Sequence, residues 1–282
     1  VTHEPRQLVL VGASRIQLAF DGQTWERAMP DWSSAMLAID GTAPLAVLAD
    51  LAADQGFRGV VLISFTPEWG EPAQHDAAMH HVQHYHRHHH VGGLIEAWLD
   101  SLAESWLVTL APDTSPIRVA KALASRSGAV VPSYVVMNRQ RERSADYLTQ
   151  DPAWLTEHRD KRIARHLAGL ETMAPLSPDA WLAAMEPVRQ QVAAIESRGG
   201  RVVFFGAPMD DVLLQATQAR YPRKHYWQAL GRDLGLTTLD FADIPAMTGI
   251  PCPDGSHIDQ TSKSLFTEAL VGALQERGIL AP

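Results

Sequence analysis

Gly59-Val60-Val61-Leu62-Ile63-Ser64-Phe65 is a near-continuous run of β-branched and large apolar residues opened by a glycine, the pattern of a strand buried on both faces. Just upstream, Pro44 starts a helical pattern that places Leu45, Leu48, Leu51 and Ala52 on one face. Before that, the apolar patch at residues 35–39 stops at Asp40-Gly41-Thr42. Strand, helix and strand of these lengths make a βαβ crossover, and a crossover of that kind requires parallel strands. The same rhythm begins earlier, where Leu8-Val9-Leu10-Val11 runs into the tight turn Gly12-Ala13-Ser14. It returns at Gly200-Arg201-Val202-Val203-Phe204-Phe205-Gly206, followed by a helix over residues 210–219, another over 221–234 and a short strand at 237–241. The chain closes on a helix over about residues 260–275. Asp259 or Thr261 caps it, and its apolar face is Leu265, Phe266, Ala269, Leu270, Ala273 and Leu274. The fold class expected is α/β, a three-layer α/β/α arrangement around a mainly parallel sheet.

Between the two outer blocks the signal changes. Residues 71–91 are polar and histidine-rich, 94–110 carry apolar positions at helical spacing, and 139–165 are strongly charged with Trp154 and Leu155 interleaved. Residues 71–175 read as a mostly helical, His-rich insertion in a single domain spanning 1–282. Trp181, Leu182, Met185, Val188 and Val192 then form the buried stripe of a helix introduced by Pro178.

The 282 residues are 46% hydrophobic and 20% charged, enough apolar content for a substantial core, so wholesale disorder is excluded. Lys plus Arg number 24 against 32 Asp plus Glu, a formal charge of -8, and no basic stripe marks a nucleic-acid surface. The single cysteine, Cys252, excludes an intrachain disulfide framework and reads as a small buried residue. No apolar run reaches the roughly 18 to 20 residues that a membrane-spanning helix needs.

Three groups sit where a parallel-sheet hydrolase needs them. Ser14 directly follows the first strand, so its hydroxyl belongs at the carboxyl edge of the sheet, where open α/β folds place their sites. Asp254 and His257 lie three residues apart in a loop before the last helix. A serine hydroxyl is a poor nucleophile until a base takes its proton, and imidazole does so near neutral pH when a carboxylate fixes its tautomer. Each piece alone has a plainer reading: Gly-Ala-Ser as a chain turn, Asp254 as a turn cap, His257 as a surface residue.

Val11-Gly12-Ala13-Ser14-Arg15 and Asp254-Gly255-Ser256-His257, taken together, resemble the SGNH (GDSL-like) hydrolase and acyltransferase family. In that family a nucleophilic serine ends the first strand and a D-x-x-H motif precedes the last helix. Ala38-Ile39-Asp40-Gly41-Thr42 is similar to its second block. Val202-Val203-Phe204-Phe205-Gly206-Ala207-Pro208 is similar to the penultimate strand of its envelope-associated, glycan O-acetylating branch. The likeness spans roughly residues 6–70 and 200–280. It implies Ser14 as nucleophile, His257 as general base and then acid, and Asp254 as its orienting carboxylate. The backbone N–H groups of Ser14 and Gly41 would form the oxyanion hole. The family's usual G-D-S is Gly12-Ala13-Ser14 here. Its third block supplies an asparagine side chain after the third strand, whereas the one asparagine here is Asn138 and Ser64-Phe65-Thr66-Pro67-Glu68-Trp69 stands in that place. Ser64 or Thr66 then replaces the missing donor, or the hole is one donor short.

The activity so implied is serine-dependent O-acyl chemistry, with acetyl the expected group, on a carbohydrate or cell-envelope ester. Water makes the protein an esterase and a sugar hydroxyl makes it a transferase. The other reading is a degenerate domain of this type that binds a glycan or a partner protein without turnover. A Rossmann-type nucleotide site lacks the glycines that admit a pyrophosphate. The resemblance also implies an exported, envelope or periplasmic site, an anchor upstream of Val1 and a membrane-bound acyl-donor partner. No cofactor, metal or nucleic acid is expected.

Around the triad, Arg15 is placed to steady a carboxylate or sugar acid, or else to pair with the fold's own acids. Trp25, Trp32 and Trp69 follow strand ends, where flat rings could stack on sugars, whereas Trp98, Trp106, Trp154, Trp181 and Trp227 fit helix faces and the core. His75, His80, His81, His84, His86, His88, His89 and His90 could grip a divalent metal, act as a pH-sensitive flap, or form a solvated tract.

Overall fold

The computed structural model describes residues 1–88, 134–138, 140–172 and 174–281. These fall into two compact units, Val1–Met79 with Val135–Pro282, and His80–Tyr134. Readings that fall on residues 89–133, the segment at 94–110, Trp98, Trp106, His89 and His90 among them, lie outside the described residues.

The first unit is built on five parallel strands, β1 (Gln7–Val11), β2 (Ser33–Met36), β3 (Val60–Ser64), β6 (Arg201–Gly206) and β7 (Thr237–Asp240), in the order β2-β1-β3-β6-β7. Each apolar run becomes a strand because helices cover both faces of the sheet, so inward and outward positions alike lose water. All five residues of β1 and of β3 are buried. Leu8, Leu10, Leu62, Val203 and Phe205 face a core completed by Ile16, Phe20, Trp25, Phe266 and Leu270. Those five come from helices α1 (Ser14–Ala19), α2 (Gly22–Ala28) and α11 (Lys263–Glu276) and the turn between the first two. The alternate residues, Val9, Val11, Val61, Ile63, Val202 and Phe204, are equally buried. They belong to the opposite face, where α3 (Leu45–Ala53) packs on α8 (Glu186–Glu196). The expected α/β/α architecture is therefore present.

The chain runs from β1 to β2 on one side and from β2 past β1 to β3 on the other. That reversal opens a crevice at the carboxyl ends of β1 and β3, the position where doubly wound sheets bind ligands.

Several local readings change. The helix expected from Pro178 is two helices, α7 (Pro178–Ala184) and α8, which break at Met185 because Pro187 in the first turn of α8 has no N–H for the preceding turn. The helix read over 221–234 shrinks to α10 (Trp227–Arg232), since Pro222 ends α9 (Asp211–Arg220) and turns precede α10. In α11, Leu265 is 51% exposed, and the buried face runs through Phe266, Leu270, Ala273 and Leu274. Trp25 is fully buried and donates to Trp32 O at 3.1 Å, while Trp32 is buried and donates to Ala281 O at 3.1 Å. Both rings are core side chains out of reach of any ligand, which corrects their reading as stacking platforms.

Between β3 and β6 lie a short helix α4 (Pro72–His75), helix α5 (Met79–His88), an antiparallel hairpin of β4 (Val135–Met137) with β5 (Arg143–Ala145), and the long helix α6 (Pro152–Thr172). The hairpin is unannounced in sequence: its strands are three residues each, and β5 packs on α1. α6 packs on α9. Among the described residues no helix is long and apolar enough to cross a membrane.

Candidate active site

Ser14 is the first residue of α1, one turn beyond the end of β1. Gly12 makes that turn possible: its φ is +149°, and a side chain there would meet Ser64 Cβ at 2.8 Å. Only glycine fits both constraints. At the other end of the chain, Gly255 (φ +92°) closes a tight loop in which Asp254 Oδ1 accepts from Ser256 N at 3.0 Å and His257 N at 2.8 Å. This Asx-type turn fixes the carboxylate before it meets the imidazole. The loop is tied to the segment after β6 by Asp210 N donating to Gly255 O at 2.8 Å.

The structure brings the three groups together across 243 residues of sequence. His257 Nε2 lies 2.8 Å from Ser14 Oγ, and His257 Nδ1 lies 2.8 Å from Asp254 Oδ2. Asp254 is fully buried and His257 is 3% exposed. Burial works against the Asp254 charge, but the His257 hydrogen bond, the His257 and Arg162 charges and the Ser256 N–H outweigh it, holding the carboxyl well below the ordinary range. A carboxylate only accepts, so His257 Nδ1 must carry a hydrogen, and Nε2 is left with a lone pair facing the Ser14 hydroxyl. Burial, reinforced by the charges of Arg162 and Arg15, lowers the His257 pKa from its ordinary value despite the opposing pull of Asp254. The imidazole therefore stays a neutral base to lower pH than an ordinary histidine.

Two further residues hold this chain, and sequence reasoning missed both. Tyr147, just after β5, donates its hydroxyl to Asp254 Oδ2 at 2.8 Å, while its N–H reaches Asp259 Oδ2 at 2.7 Å. Arg162, on α6, places Nε 3.1 Å from Asp254 Oδ2 and 2.9 Å from Ser256 Oγ, with Nη2 3.1 Å from His257 Nε2. Asp40 lies on the Ser14 side. Burial opposes its charge, but the hydrogen bond and charge of Arg143 at 2.6 Å, helped by Ser14, hold its carboxyl low.

Ser14 opens into a cleft of about 370 Å³ whose wall includes Arg15, Gly41, Thr66, Glu68, Trp69, His166 and His257. Gly41, at φ +66°, lines this cleft with open space around its Cα. Of the two residues considered as replacements for the asparagine, only Thr66 reaches it. Ser64 is inside β3, packed against Gly12, and does not line the cleft. Arg15 lines the cleft with its Nη1 buried and without a hydrogen-bond partner, and among the described residues it forms no ion pair, although the charges of Glu68 and Asp254 act on it. Trp69 is half-buried on the wall, its ring edge-on to Phe65 at 6.4 Å. Burial pushes the Cys252 thiol up to about 12, which leaves no thiolate to act as a nucleophile.

In the histidine-rich helix α5 the rings of His84 and His88 stack at 4.1 Å, and those of His80 and His81 meet tilted at 3.8 Å. Among the described residues no group of three or more His, Cys, Asp or Glu is arranged to hold a metal ion. Trp154, read as core, is half-buried and stacks on His158 at 4.7 Å; Trp181 and Trp227 are buried as expected.

The arrangement can move a proton from a serine hydroxyl to an imidazole backed by a buried carboxylate, beside a cleft with backbone and hydroxyl donors. The chain matches no protein-family model and no curated protein sequence. Among solved structures it shows a distant likeness to the crystal structure of TesA, with 11% identity and a TM-score of 0.41 over 96% of this chain and 98% of that one.

Proposed function

We propose that the protein is a serine-dependent O-acyl esterase or acyltransferase acting on a carbohydrate ester, with Ser14 as nucleophile. The observation that carries this reading is the unbroken hydrogen-bonded chain Ser14 Oγ, His257, Asp254, with 2.8 Å at both links. Ser14 attacks the acyl carbonyl as His257 Nε2 takes its proton, and Asp254 stabilises the imidazolium that forms. The N–H groups of Ser14 and Gly41 and the Thr66 hydroxyl receive the developing oxyanion, each such donor contributing about 2.7 to 4 kcal/mol. Collapse expels the alcohol, which takes the proton from His257 and leaves an acyl-enzyme. Water or a sugar hydroxyl, deprotonated by the same imidazole, then releases the acyl group.

Carbohydrate specificity and an acetyl group are supported by the resemblance of the outer blocks to the glycan-modifying branch of the SGNH family, and Trp69 on the cleft wall suits a sugar face. The transferase form needs an acyl donor, for which the same resemblance gives a membrane-bound partner and an envelope location. A non-catalytic glycan-binding domain is the second reading. It is favoured by the third-block asparagine being absent, with Thr66 alone in its place.

The test is p-nitrophenyl acetate turnover by wild type, Ser14→Ala and His257→Ala, with a serine-reactive fluorophosphonate read by mass spectrometry. Turnover and a Ser14 adduct that both disappear in the two variants establish the acyl-enzyme site. Equal background rates in all three and an unlabelled Ser14 leave the binding domain.

A further inference from the structure

The cleft beside Ser14 carries polar atoms for which the fold has no use. Arg15 Nη1, Glu68 Oε2 and His166 Nε2 are buried, belong to residues that line the cleft and have no hydrogen-bond partner among the described residues. Folded proteins leave few such atoms, because each costs its full desolvation penalty when nothing replaces water. Three on one wall mark a surface built to be completed by a ligand.

Their chemistry is uneven. Arg15 is a permanent cation, and among the described residues it forms no ion pair. The one acid on the wall, Glu68, forms no ion pair with it among the described residues, and burial raises the Glu68 carboxyl pKa against the pull of Arg15. His166 is driven down to about 4 by burial and then by the Arg15 and Arg162 charges, so near neutrality it is an uncharged donor or acceptor. At the exposed rim Arg165, one residue before His166, adds a further positive charge. One guanidinium with a buried Nη1 therefore has no ion pair among the described residues, two further buried polar atoms lack partners, and Trp69 stands on the same wall.

We propose that this wall is a subsite for a sugar acid. Arg15 binds the sugar's carboxylate, Glu68 and His166 bond its hydroxyls, and Trp69 lies against its ring while the ester on that sugar reaches Ser14. The proposal deepens the acyl-ester reading and rests on it for the role of Ser14, but the subsite itself is a binding claim that stands or falls separately. A neutral sugar would leave the guanidinium buried without its anion, and a charge-assisted bond of this kind is worth roughly a tenfold to hundredfold preference.

The experiment has a binding arm and a kinetic arm. Calorimetry of the full-length Ser14→Ala protein with methyl glucuronoside and methyl glucoside reads binding without turnover. The glucuronoside is expected to bind at least about tenfold more tightly, and Arg15→Gln in the same background to erase that difference. In wild type, kcat/KM for deacetylation of O-acetylated methyl glucuronoside is expected to exceed that of its glucoside counterpart by the same factor. This comparison needs no variant and holds even if Arg15→Gln fails to fold. Equal affinity and equal kcat/KM for the two sugars, or a preference untouched by Arg15→Gln in a folded protein, overturn the subsite. Ser14 labelling with no acid preference discards the subsite and keeps the esterase. Glucuronoside binding without Ser14 labelling keeps the subsite and discards the esterase.

Discussion

Replacing Arg162 by leucine should move the acid limb of the activity profile toward higher pH by about one unit. Arg162 Nη2 sits 3.1 Å from His257 Nε2, the atom that must accept a proton, and its charge opposes the imidazolium. At an effective dielectric of about 20 and a charge separation of about 4 Å, that repulsion is about 4 kcal/mol. The arginine side chain is 32% exposed and already paired with Asp254 at 3.1 Å, so solvent and the carboxylate screen most of it. About 1 to 2 kcal/mol remains, equivalent to roughly one pKa unit. Both consequences of the substitution act in one direction, because removing the guanidinium ends the repulsion and leaves Asp254 acting on the imidazole alone. The fold should survive, since Asp254 keeps Tyr147 Oη, the Ser256 and His257 N–H groups and His257 Nδ1. In wild type the lowered His257 pKa keeps the base form populated to lower pH than an ordinary histidine, so kcat/KM for p-nitrophenyl acetate should hold below the ordinary 6.5. In Arg162→Leu it should fall at higher pH, with p-nitrophenol read at its isosbestic wavelength to remove its own titration. A limb that stays in place or moves to lower pH would falsify the electrostatic role given to Arg162.

Asp254→Asn should lower kcat by about three to four orders of magnitude at pH 8, because an amide that donates toward Nδ1 favours the wrong imidazole tautomer; the far-ultraviolet spectrum should be unchanged. Gly12→Ala should cost about 2 to 4 kcal/mol in urea unfolding, since it adds a Cβ 2.8 Å from Ser64 Cβ at a φ of +149°. A stability loss under about 0.5 kcal/mol would mean that the turn relaxes freely. Trp181→Ala should cost about 3 to 5 kcal/mol by thermal unfolding, since it empties a fully buried site and frees Pro67 O from its 3.0 Å bond to the indole.

What the sequence disclosed follows from how each part is stabilised. The strands of the parallel sheet were legible because burial on both faces demands continuous apolar runs, and Val60 to Ser64 has one. Ser14 and the Asp254–His257 loop were legible because glycines mark their turns and because strand ends of such sheets are where sites lie. The hairpin that delivers Tyr147 was not. Its strands, Val135–Met137 and Arg143–Ala145, carry little apolar alternation of their own and are held by packing on α1 and by Lys263 Nζ donating to Arg143 O at 2.9 Å. Trp25 and Trp32 were misjudged because proximity to a strand end says nothing about which way a ring turns, and each indole N–H here is satisfied by an inward carbonyl.

The charged stretch before residue 165 held the most information that went unread. On α6, Arg159, Arg162, Ile163, His166 and Leu170 recur at helical spacing and so share one face. A solvated face has no use for Ile163 and Leu170, and a core face has none for the arginines. Arg159 pairs with Asp210 at 2.5 Å, Arg162 with Asp254, Ile163 packs near Gly255, and His166 and Leu170 line the cleft. A helix face that mixes cations and aliphatic residues in one row is thus the signature of a wall shared between core and ligand. On this face α6 meets groups from the outer blocks of the chain: Arg162 reaches Asp254 and His257, and His166 and Leu170 stand on the cleft wall beside Ser14. Changes on that face should therefore alter pH dependence and substrate charge preference more than they alter the Ser14–His257 geometry.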